Sequence, residues 1–158
     1  MHAHQCRNTL ALLAWVAFTL SATATSVFIA KNTWYAGLVK PTWNPPAWLF
    51  GPVWTALYIM MAVAAWLVWR EGGWRVQRWP LGLYLAQWTL NALWTPLFFG
   101  LHRPGLAFAE IIVLDLAVLA TLIAFWRVKR LAGALLVPYL LWVAFATVLN
   151  GAIWRLNA

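Results

Sequence analysis

The sequence predicts an all-α integral membrane protein, a single domain of 158 residues built as a five-transmembrane-helix bundle. Apolar residues make up 65% of the chain, against roughly 45–50% in soluble globular domains. Charged residues make up 9%, against about 25% in such domains, and they fall between long uncharged segments. These proportions argue against a soluble enzyme and a disordered tail. The single cysteine, Cys6, excludes a disulfide within the chain.

Five segments are long enough to cross the hydrocarbon core of a bilayer, which takes about 20 apolar residues in a helix. A backbone in lipid has to satisfy its hydrogen bonds internally, so each segment is expected to be helical. A β-barrel would instead show alternating segments of about ten residues, and these segments do not alternate. The predicted helices cover about residues 8–30, 47–69, 79–101, 104–126 and 131–155.

The first segment has two interpretations. Arg7, the apolar run over residues 10–20 and the small residues 22–24 resemble a secretory signal peptide with its cleavage site. Against this, the apolar residues continue through Ile29 and Ala30. We therefore predict a first transmembrane helix over residues 8–30.

The connections predict the orientation in the membrane. The first loop, residues 31–46, is long, and its prolines prevent a continuous helix. Lys and Arg are enriched on the cytoplasmic side of a membrane. With five spans, the side of the N-terminus carries seven of them: Arg7, Arg70, Arg75, Arg78, Arg127, Lys129 and Arg130. The other side carries four: Lys31, Lys40, Arg103 and Arg155. This count predicts a cytoplasmic N-terminus and an external first loop.

The chain contains 14 tryptophans. Tryptophan near the end of a membrane helix commonly lies in the interfacial belt, which accounts for Trp15, Trp48, Trp69, Trp79 and Trp154. Other tryptophans share a helix face with polar residues, since positions three or four apart lie on one side of a helix. These faces are Gln87, Asn91, Trp94 and Phe98 in the third helix, Trp54, Tyr58 and Met61 in the second, and Trp142, Ala146 and Leu149 beside Asn150 in the fifth.

Amides are costly in lipid unless they meet partners inside the bundle, so the face with Gln87 and Asn91 must point inward. One interpretation is a pocket between helices whose aromatic walls bind a large, planar, apolar ligand. Basic residues at its mouth would meet ligand carboxylates, namely Lys31, Lys40 and Arg103. The other interpretation is that the aromatic side chains simply pack the core.

Two prolines and two acids complete the predictions within the spans. Pro96 and Pro138 are expected to interrupt the third and fifth helices. Glu110 and Asp115 lie within the fourth span, where an ionised acid is costly. We expect Asp115 to be a carboxyl that is neutral or hydrogen-bonded inside the bundle, with a proton or cation path as the alternative.

Several motifs follow one another in order from residue 34 onward. They are WYAGL at 34–38, KPTWNPP at 40–46, GPVW at 51–54, PLGLY at 80–84, LNALWTPLFFG at 90–100 and PYLLWVAFAT at 138–147. This ordered set resembles the TspO/MBR family, the tryptophan-rich sensory proteins and mitochondrial translocator proteins. The resemblance implies a five-helix bundle, often a homodimer, with one pocket closed by the first loop. It also implies that the pocket binds porphyrins such as protoporphyrin IX, haem-like tetrapyrroles or other hydrophobic molecules, with no cofactor required.

Carried over position by position, the resemblance implies a set of ligand-binding residues that adds a loop pair to the faces found by helical spacing. The set is Trp34, Tyr35, Trp54, Tyr58, Asn91, Trp94, Phe98, Trp142, Ala146 and Leu149. Some bacterial relatives degrade porphyrin in light and oxygen, and the tryptophans implicated there resemble Trp54 and Trp142 here. Gly151 stands where the proposed cholesterol motif of the animal proteins has a tyrosine, so sterol binding at that site is not expected.

Three functions stay open at this point. The first is a porphyrin-binding protein in sensing, transport or disposal. The second is an enzyme of light- and oxygen-dependent porphyrin breakdown, and the third is a structural bundle that binds other membrane proteins. The sequence contains no conventional catalytic triad or phosphate loop. His2, His4 and Cys6 do not match a zinc signature, so no metal site is predicted, and nucleic-acid binding is not expected.

The third predicted helix carries a small-xxx-small pair, Gly82 and Ala86. Such pairs let two membrane helices approach closely, so we predict a homodimer through this face. The short stretch after Arg155 favours a bacterial member of the family, and hence a bacterial cell membrane.

Overall fold

The computed structural model describes residues 2–26, 29 and 33–158, with the backbone alone for residues 2–7. Every regular element in that part of the chain is helical, which confirms the predicted all-α class. In order, the elements are α1 (His2–Leu20), a 3₁₀ helix (Ser21–Ser26), α2 (Thr33–Gly37), α3 (Ala47–Trp69), α4 (Gly73–Val76), α5 (Arg78–Thr95), a π helix (Pro96–Gly100), α6 (Pro104–Val128) and α7 (Arg130–Leu156).

The bundle consists of five long helical segments. Four of those described are long and apolar enough to cross a membrane, namely Asn8–Ser26, α3, α6 and α7. The fifth, α5, is less apolar because it carries Gln87 and Asn91, whose side chains are 1% and 6% exposed inside the bundle. The protein is therefore an integral membrane protein, and the polar side chains of α5 point into the interior of the bundle.

The first segment changes its hydrogen bonding before the predicted end at residue 30. After Leu20 the chain tightens into the 3₁₀ helix, where hydroxyls of Ser21, Thr23 and Thr25 donate to carbonyls three residues earlier. Side-chain bonds of this kind compete with regular α-helix bonding. Residues 27, 28 and 30, the basic Lys31, and the side chains of His2, His4 and Cys6 lie outside the described residues.

The two prolines behave differently from each other. At Pro96 the α-helical bonding ends, and the next turn is a π helix in which the Leu101 N–H donates to the Pro96 carbonyl over 2.9 Å. This turn buries Phe98. The prediction that Pro138 interrupts its helix is wrong, because α7 runs through it from Arg130 to Leu156. One missing N–H is tolerated where neighbouring helices pack around a long membrane helix.

Helices α6 and α7 form an antiparallel hairpin joined at Lys129 alone. Two glycines permit its close packing. A Cβ at Gly133 would lie 2.8 Å from the Cα of Trp126, and a Cβ at Gly151 would lie 2.8 Å from the ring of Phe108. Gly151 therefore stands at a helix contact that leaves no room for the tyrosine of the cholesterol motif.

The tryptophans predicted for the interfacial belt divide into two groups. Trp48 and Trp79 are 72% exposed, as a belt residue would be. The prediction is wrong for Trp15, which is buried. Its indole stacks on Trp74 at 6.2 Å and meets the edge of Tyr84 at 5.6 Å. Trp74 follows α3 in the second connection, so the fold of that connection decides whether Trp15 is covered.

Candidate ligand-binding site

An aromatic cluster lies where the first loop covers the bundle. Helix α2 carries Trp34 and Tyr35 onto the π helix, where both rings meet Phe98 edge-on at 5.7 and 6.0 Å. Tyr35 also meets Phe99 at 5.2 Å. Beneath them, Trp94 stacks on Phe98 at 5.0 Å. The loop pair that the family resemblance implied is thus in contact with the third-helix face found by spacing.

The first loop is fastened to the bundle at several points. The Val39 N–H donates to the Asn157 side chain, and the Asn157 amide donates back to the Val39 carbonyl, at 2.9 and 2.8 Å. Trp34 stacks on His102 at 4.5 Å. Burial raises the pKa of the Tyr35 hydroxyl, while its hydrogen bond to Asn44 acts in the opposite direction. These contacts hold α2 closed over the site.

Lys40 lies at the outer edge of this cluster. Its ammonium group donates to the carbonyls of Ala36 and Leu38 at 3.4 and 3.0 Å. It also lies 4.6 Å from the centre of the Tyr35 ring. The cation is therefore held at the loop, where a ligand carboxylate could replace one of the carbonyl acceptors.

A chain of buried hydrogen bonds crosses three helices below the loop. The Tyr58 hydroxyl donates to Asn91 Oδ1 at 2.7 Å, and Asn91 Nδ2 donates to the Tyr139 hydroxyl at 3.0 Å. Tyr139 in turn donates to Gln87 Oε1 at 2.8 Å. Both polar atoms of Asn91 are thus used within the protein. Its role in this state is to join α3, α5 and α7, and the amide atom left over is Gln87 Nε2, which has no partner among the described residues.

Sequence reasoning left Tyr139 out of the site. This residue is fully buried and lies three positions before Trp142 and seven before Ala146. That spacing puts all three on one face of α7. The helical periodicity of α7 therefore places Tyr139 on the inward face, one turn before Trp142.

Trp94 and Trp142 differ in what their indole N–H groups do. Trp94 Nε1 donates to Asn150 Oδ1 at 3.0 Å, and Asn150 Nδ2 continues to the Pro104 carbonyl at 2.8 Å. The indole N–H of Trp142 is buried and has no acceptor among the described residues. Its ring packs against Phe50 at 5.9 Å and Phe145 at 5.5 Å. Trp142 is thus an aromatic wall residue with a free donor.

The predicted ligand-binding residues form two adjoining layers. The layer under the loop contains Trp34, Tyr35, Trp94, Phe98 and Leu149. The deeper layer, in the main core, contains Trp54, Tyr58, Trp142 and Ala146, together with the amide of Asn91. Trp94 packs against both layers. Trp54 lies 5.4 Å from the ring of Tyr58 and 6.3 Å from that of Tyr139.

The two acids of α6, Asp115 and Glu110, differ in their hydrogen bonding. Asp115 accepts a hydrogen bond from the Thr147 hydroxyl at 2.6 Å, as expected for an acid bonded inside the bundle. Both carboxyl oxygens of Glu110 are buried without a partner in the part of the chain that the structure describes. No group of three or more potential metal-ligating side chains occurs in that part either.

The chain matches known proteins over nearly its whole length. The model of the TspO/MBR family matches residues 9–155. The human translocator protein is 47% identical over 126 residues, which covers 78% of this chain and 75% of that protein. The tryptophan-rich protein TspO of Archaeoglobus fulgidus is 42% identical, covering 96% of this chain and 99% of its own. The tryptophan-rich sensory protein of Cereibacter sphaeroides is 42% identical, with coverage of 92% and 90%.

Proposed function

Because the chain belongs to the TspO/MBR family of membrane proteins, we propose that it binds a porphyrin in the aromatic site beneath its first loop. The observation that carries this proposal is that aromatic rings of the site lie beside the buried indole N–H of Trp142, which has no acceptor among the described residues. Flat rings favour a planar apolar ligand by stacking. The buried N–H of Trp142 has no acceptor within the part of the chain that the structure describes, so a ligand oxygen or nitrogen would satisfy it.

Entry of the ligand requires movement of the first loop. Trp34 and Tyr35 lie in direct contact with Phe98 and Phe99, so a planar molecule has to separate these rings. Lys40 lies on the same loop, and its ammonium group could exchange the carbonyl of Ala36 or Leu38 for a propionate of the porphyrin. Binding would thus exchange ring contacts within the protein for ring contacts with the ligand.

The proposal is tested by titrating the purified protein in detergent with protoporphyrin IX and following the porphyrin absorbance. We expect saturable binding at one site per chain. Trp142→Phe keeps an aromatic wall but removes the donor, so its Kd should rise up to about tenfold, the equivalent of one hydrogen bond. Trp79→Phe is the matched control because Trp79 is exposed far from the site, and its Kd should not change. Non-saturable uptake, or equal changes in both variants, would refute the proposal.

A second candidate function is oxidative breakdown of the bound porphyrin, driven by light with dioxygen as the oxidant. The contacts of Trp54 with the rings of Tyr58 and Tyr139 favour it, since adjoining indole and phenol rings can pass an electron from one to the next. Illumination of the complex in air should then bleach the porphyrin faster in the wild type than in the double variant Trp54→Phe/Trp142→Phe. Equal bleaching rates at equal occupancy would exclude a role for these two residues.

We further propose a homodimer in a bacterial cell membrane, with α5 at the interface. Gly82 and Ala86 are both exposed on α5, and a Cβ at Gly82 would lie more than 4 Å from every atom that the structure describes outside its own helical turn. A second copy could therefore approach this face closely. Crosslinking in detergent should yield fewer dimers for Gly82→Leu than for the wild type. An unchanged yield would remove α5 as the interface.

A further inference from the structure

An open apolar cleft lies at the end of the bundle opposite the first loop. It has a volume of about 360 Å³ and lies between α1, the end of α3, α4 and α5. Ala14 and Phe18 line it from α1, Trp69 from the end of α3, Trp74 from α4, and Leu85 from α5. None of these residues belongs to the porphyrin site. Ala14 and Trp74 are exposed, so the cleft opens on the lipid-facing surface.

A second hollow of about 310 Å³ adjoins the first, and polar atoms form a larger share of its lining, although apolar atoms still predominate. Trp69 lines both hollows, and the second is completed by Asn8, Arg70, Gly72 and Gly73. The Arg70 guanidinium lies 4.6 Å from the centre of the Trp66 ring. It forms no ion pair among the described residues. The cleft therefore has an apolar interior and a cationic mouth.

The charge around this mouth favours an anion. The connections at this end and the helix ends beside them carry six cationic side chains, Arg70, Arg75, Arg78, Arg127, Lys129 and Arg130. Glu71 is the acid in these connections, and it is already paired with Lys129 at 2.9 Å. Basic clusters next to a membrane helix attract anionic headgroups.

The depth of the cleft fits one leaflet of a bilayer. Along α1 the lining extends from Asn8 at the mouth to Phe18, which at the helical rise is about 15 Å. The hydrocarbon core is about 30 Å thick, so the cleft ends near the midplane. An acyl chain from the adjoining leaflet has this reach.

We propose that this cleft binds an anionic phospholipid, with its phosphate at Arg70 and one acyl chain between α1 and α5. A lipid fits better than a soluble anion because the apolar part of the cleft opens on the lipid-facing surface. An anionic lipid fits better than a zwitterionic one because the cationic side chains at the mouth outnumber the carboxylates. The site is independent of the porphyrin site.

The proposal is tested by native mass spectrometry of the full chain released from micelles that contain equal amounts of phosphatidylglycerol and phosphatidylcholine. The wild type should retain phosphatidylglycerol in preference to phosphatidylcholine. Arg70→Gln should lower that preference by roughly fivefold, the effect of one basic residue at an anionic surface. The matched control is Arg155→Gln, which removes an exposed charge at the other end of the bundle and should leave the preference unchanged.

A second pair of variants tests the apolar part of the cleft. Ala14→Leu fills it and should reduce retention of the lipid, whereas Ala17→Leu adds the same atoms at an exposed position of α1 outside the lining and should not. Helix content by circular dichroism establishes that each variant is folded.

Three results would each overturn the proposal. They are equal retention of both lipids by the wild type, an unchanged lipid preference in Arg70→Gln, and unchanged lipid retention in Ala14→Leu. Displacement of the lipid by inorganic phosphate would indicate a soluble anion instead. Loss of crosslinked dimer in Ala14→Leu, with lipid retention unchanged, would indicate a second copy of the chain.

Discussion

The two ends of the bundle use tryptophan in different ways. At the end covered by the first loop, Trp34 of α2 and Trp94 of α5 both pack against the ring of Phe98. At the opposite end, Trp69 and Trp74 line an open cleft beside a cluster of basic residues. The residue type is the same, and the backbone around it decides whether the ring encloses a site or borders on lipid. A count of tryptophans therefore says little about function until their neighbours are known.

The largest expected loss of stability is at the end of the bundle that the first loop covers. Gly151→Leu would force a side chain into the ring of Phe108, and the overpacked hairpin should lose about 3 kcal/mol of stability. Thermal unfolding in detergent measures this loss. Gly51→Leu is the control, because Gly51 is exposed on α3 and a Cβ there meets no described atom within 4 Å, and its unfolding temperature should match that of the wild type. Similar losses in the two variants would mean that the hairpin contact is not specially tight.

The next effect comes from the buried hydrogen-bond chain. Tyr139→Phe removes a hydroxyl that accepts from Asn91 and donates to Gln87, which leaves two buried polar groups unpaired. Such groups cost about 2 kcal/mol, so thermal unfolding should shift clearly. Tyr35→Phe is a suitable comparison, because the Tyr35 hydroxyl is only partly buried, and its shift should be smaller. A larger shift in Tyr35→Phe would contradict the central role of the chain.

A smaller effect is expected for the fastening of the first loop. Asn157→Ala removes two hydrogen bonds to Val39 and should weaken closure by about 1 kcal/mol, which corresponds to roughly fivefold faster amide exchange in α2. Hydrogen exchange read by mass spectrometry measures this rate. Asn8→Ala, at the open end, is the control and should leave the exchange of α2 unchanged. If it accelerates exchange equally, the loop is not held by Asn157.

The smallest effect is a pH dependence at the open end. The hydrogen bond and charge of Lys129 hold the pKa of the Glu71 carboxyl below its usual value of 4.5. The folded-state pKa is lowered, so this pair stabilises the protein above pH 4.5 and the contribution is lost as the pH falls through the folded-state pKa. Because the side chains of Glu71 and Lys129 are 43% and 38% exposed, the charge interaction is screened by solvent and the change is small. The difference in unfolding temperature between pH 7 and pH 3 should be smaller in Glu71→Gln and in Lys129→Met than in the wild type. Identical differences in all three would show that the ion pair contributes nothing.

Much of this architecture follows from composition and charge spacing. Uncharged segments of membrane-spanning length identify the five helices, and inward-facing amides identify the polar face of α5. Periodicity alone cannot distinguish a proline that ends α-helical bonding from one that a helix accommodates. Pro96 and Pro138 differ because of the neighbouring helices and not because of local sequence. For the same reason the cover that Trp74 provides for Trp15 could not be predicted.

The polar groups of the site were harder to predict than its walls. Helical spacing placed Trp54, Tyr58 and Trp142 on inward faces, because burial follows the period of the helix. Which polar atom is left without a partner depends on angles between helices that no single face contains. Both polar atoms of Asn91 have partners, whereas the indole N–H of Trp142 has none among the residues described, and only the three-dimensional arrangement distinguishes them.

The α6–α7 hairpin has a consequence for how the molecule changes shape. It is joined by one residue, Lys129, and is in tight contact near both ends, at Gly133 and at Gly151. Sliding these two helices past each other, or separating them, would break closely packed contacts. We therefore expect the hairpin to behave as a rigid body. If ligands of different size bind, we then expect α1, α2 and the start of α3 to move and the hairpin to stay fixed. Spin labels placed on α6 and α7 should accordingly report a fixed separation while labels on α2 report a variable one.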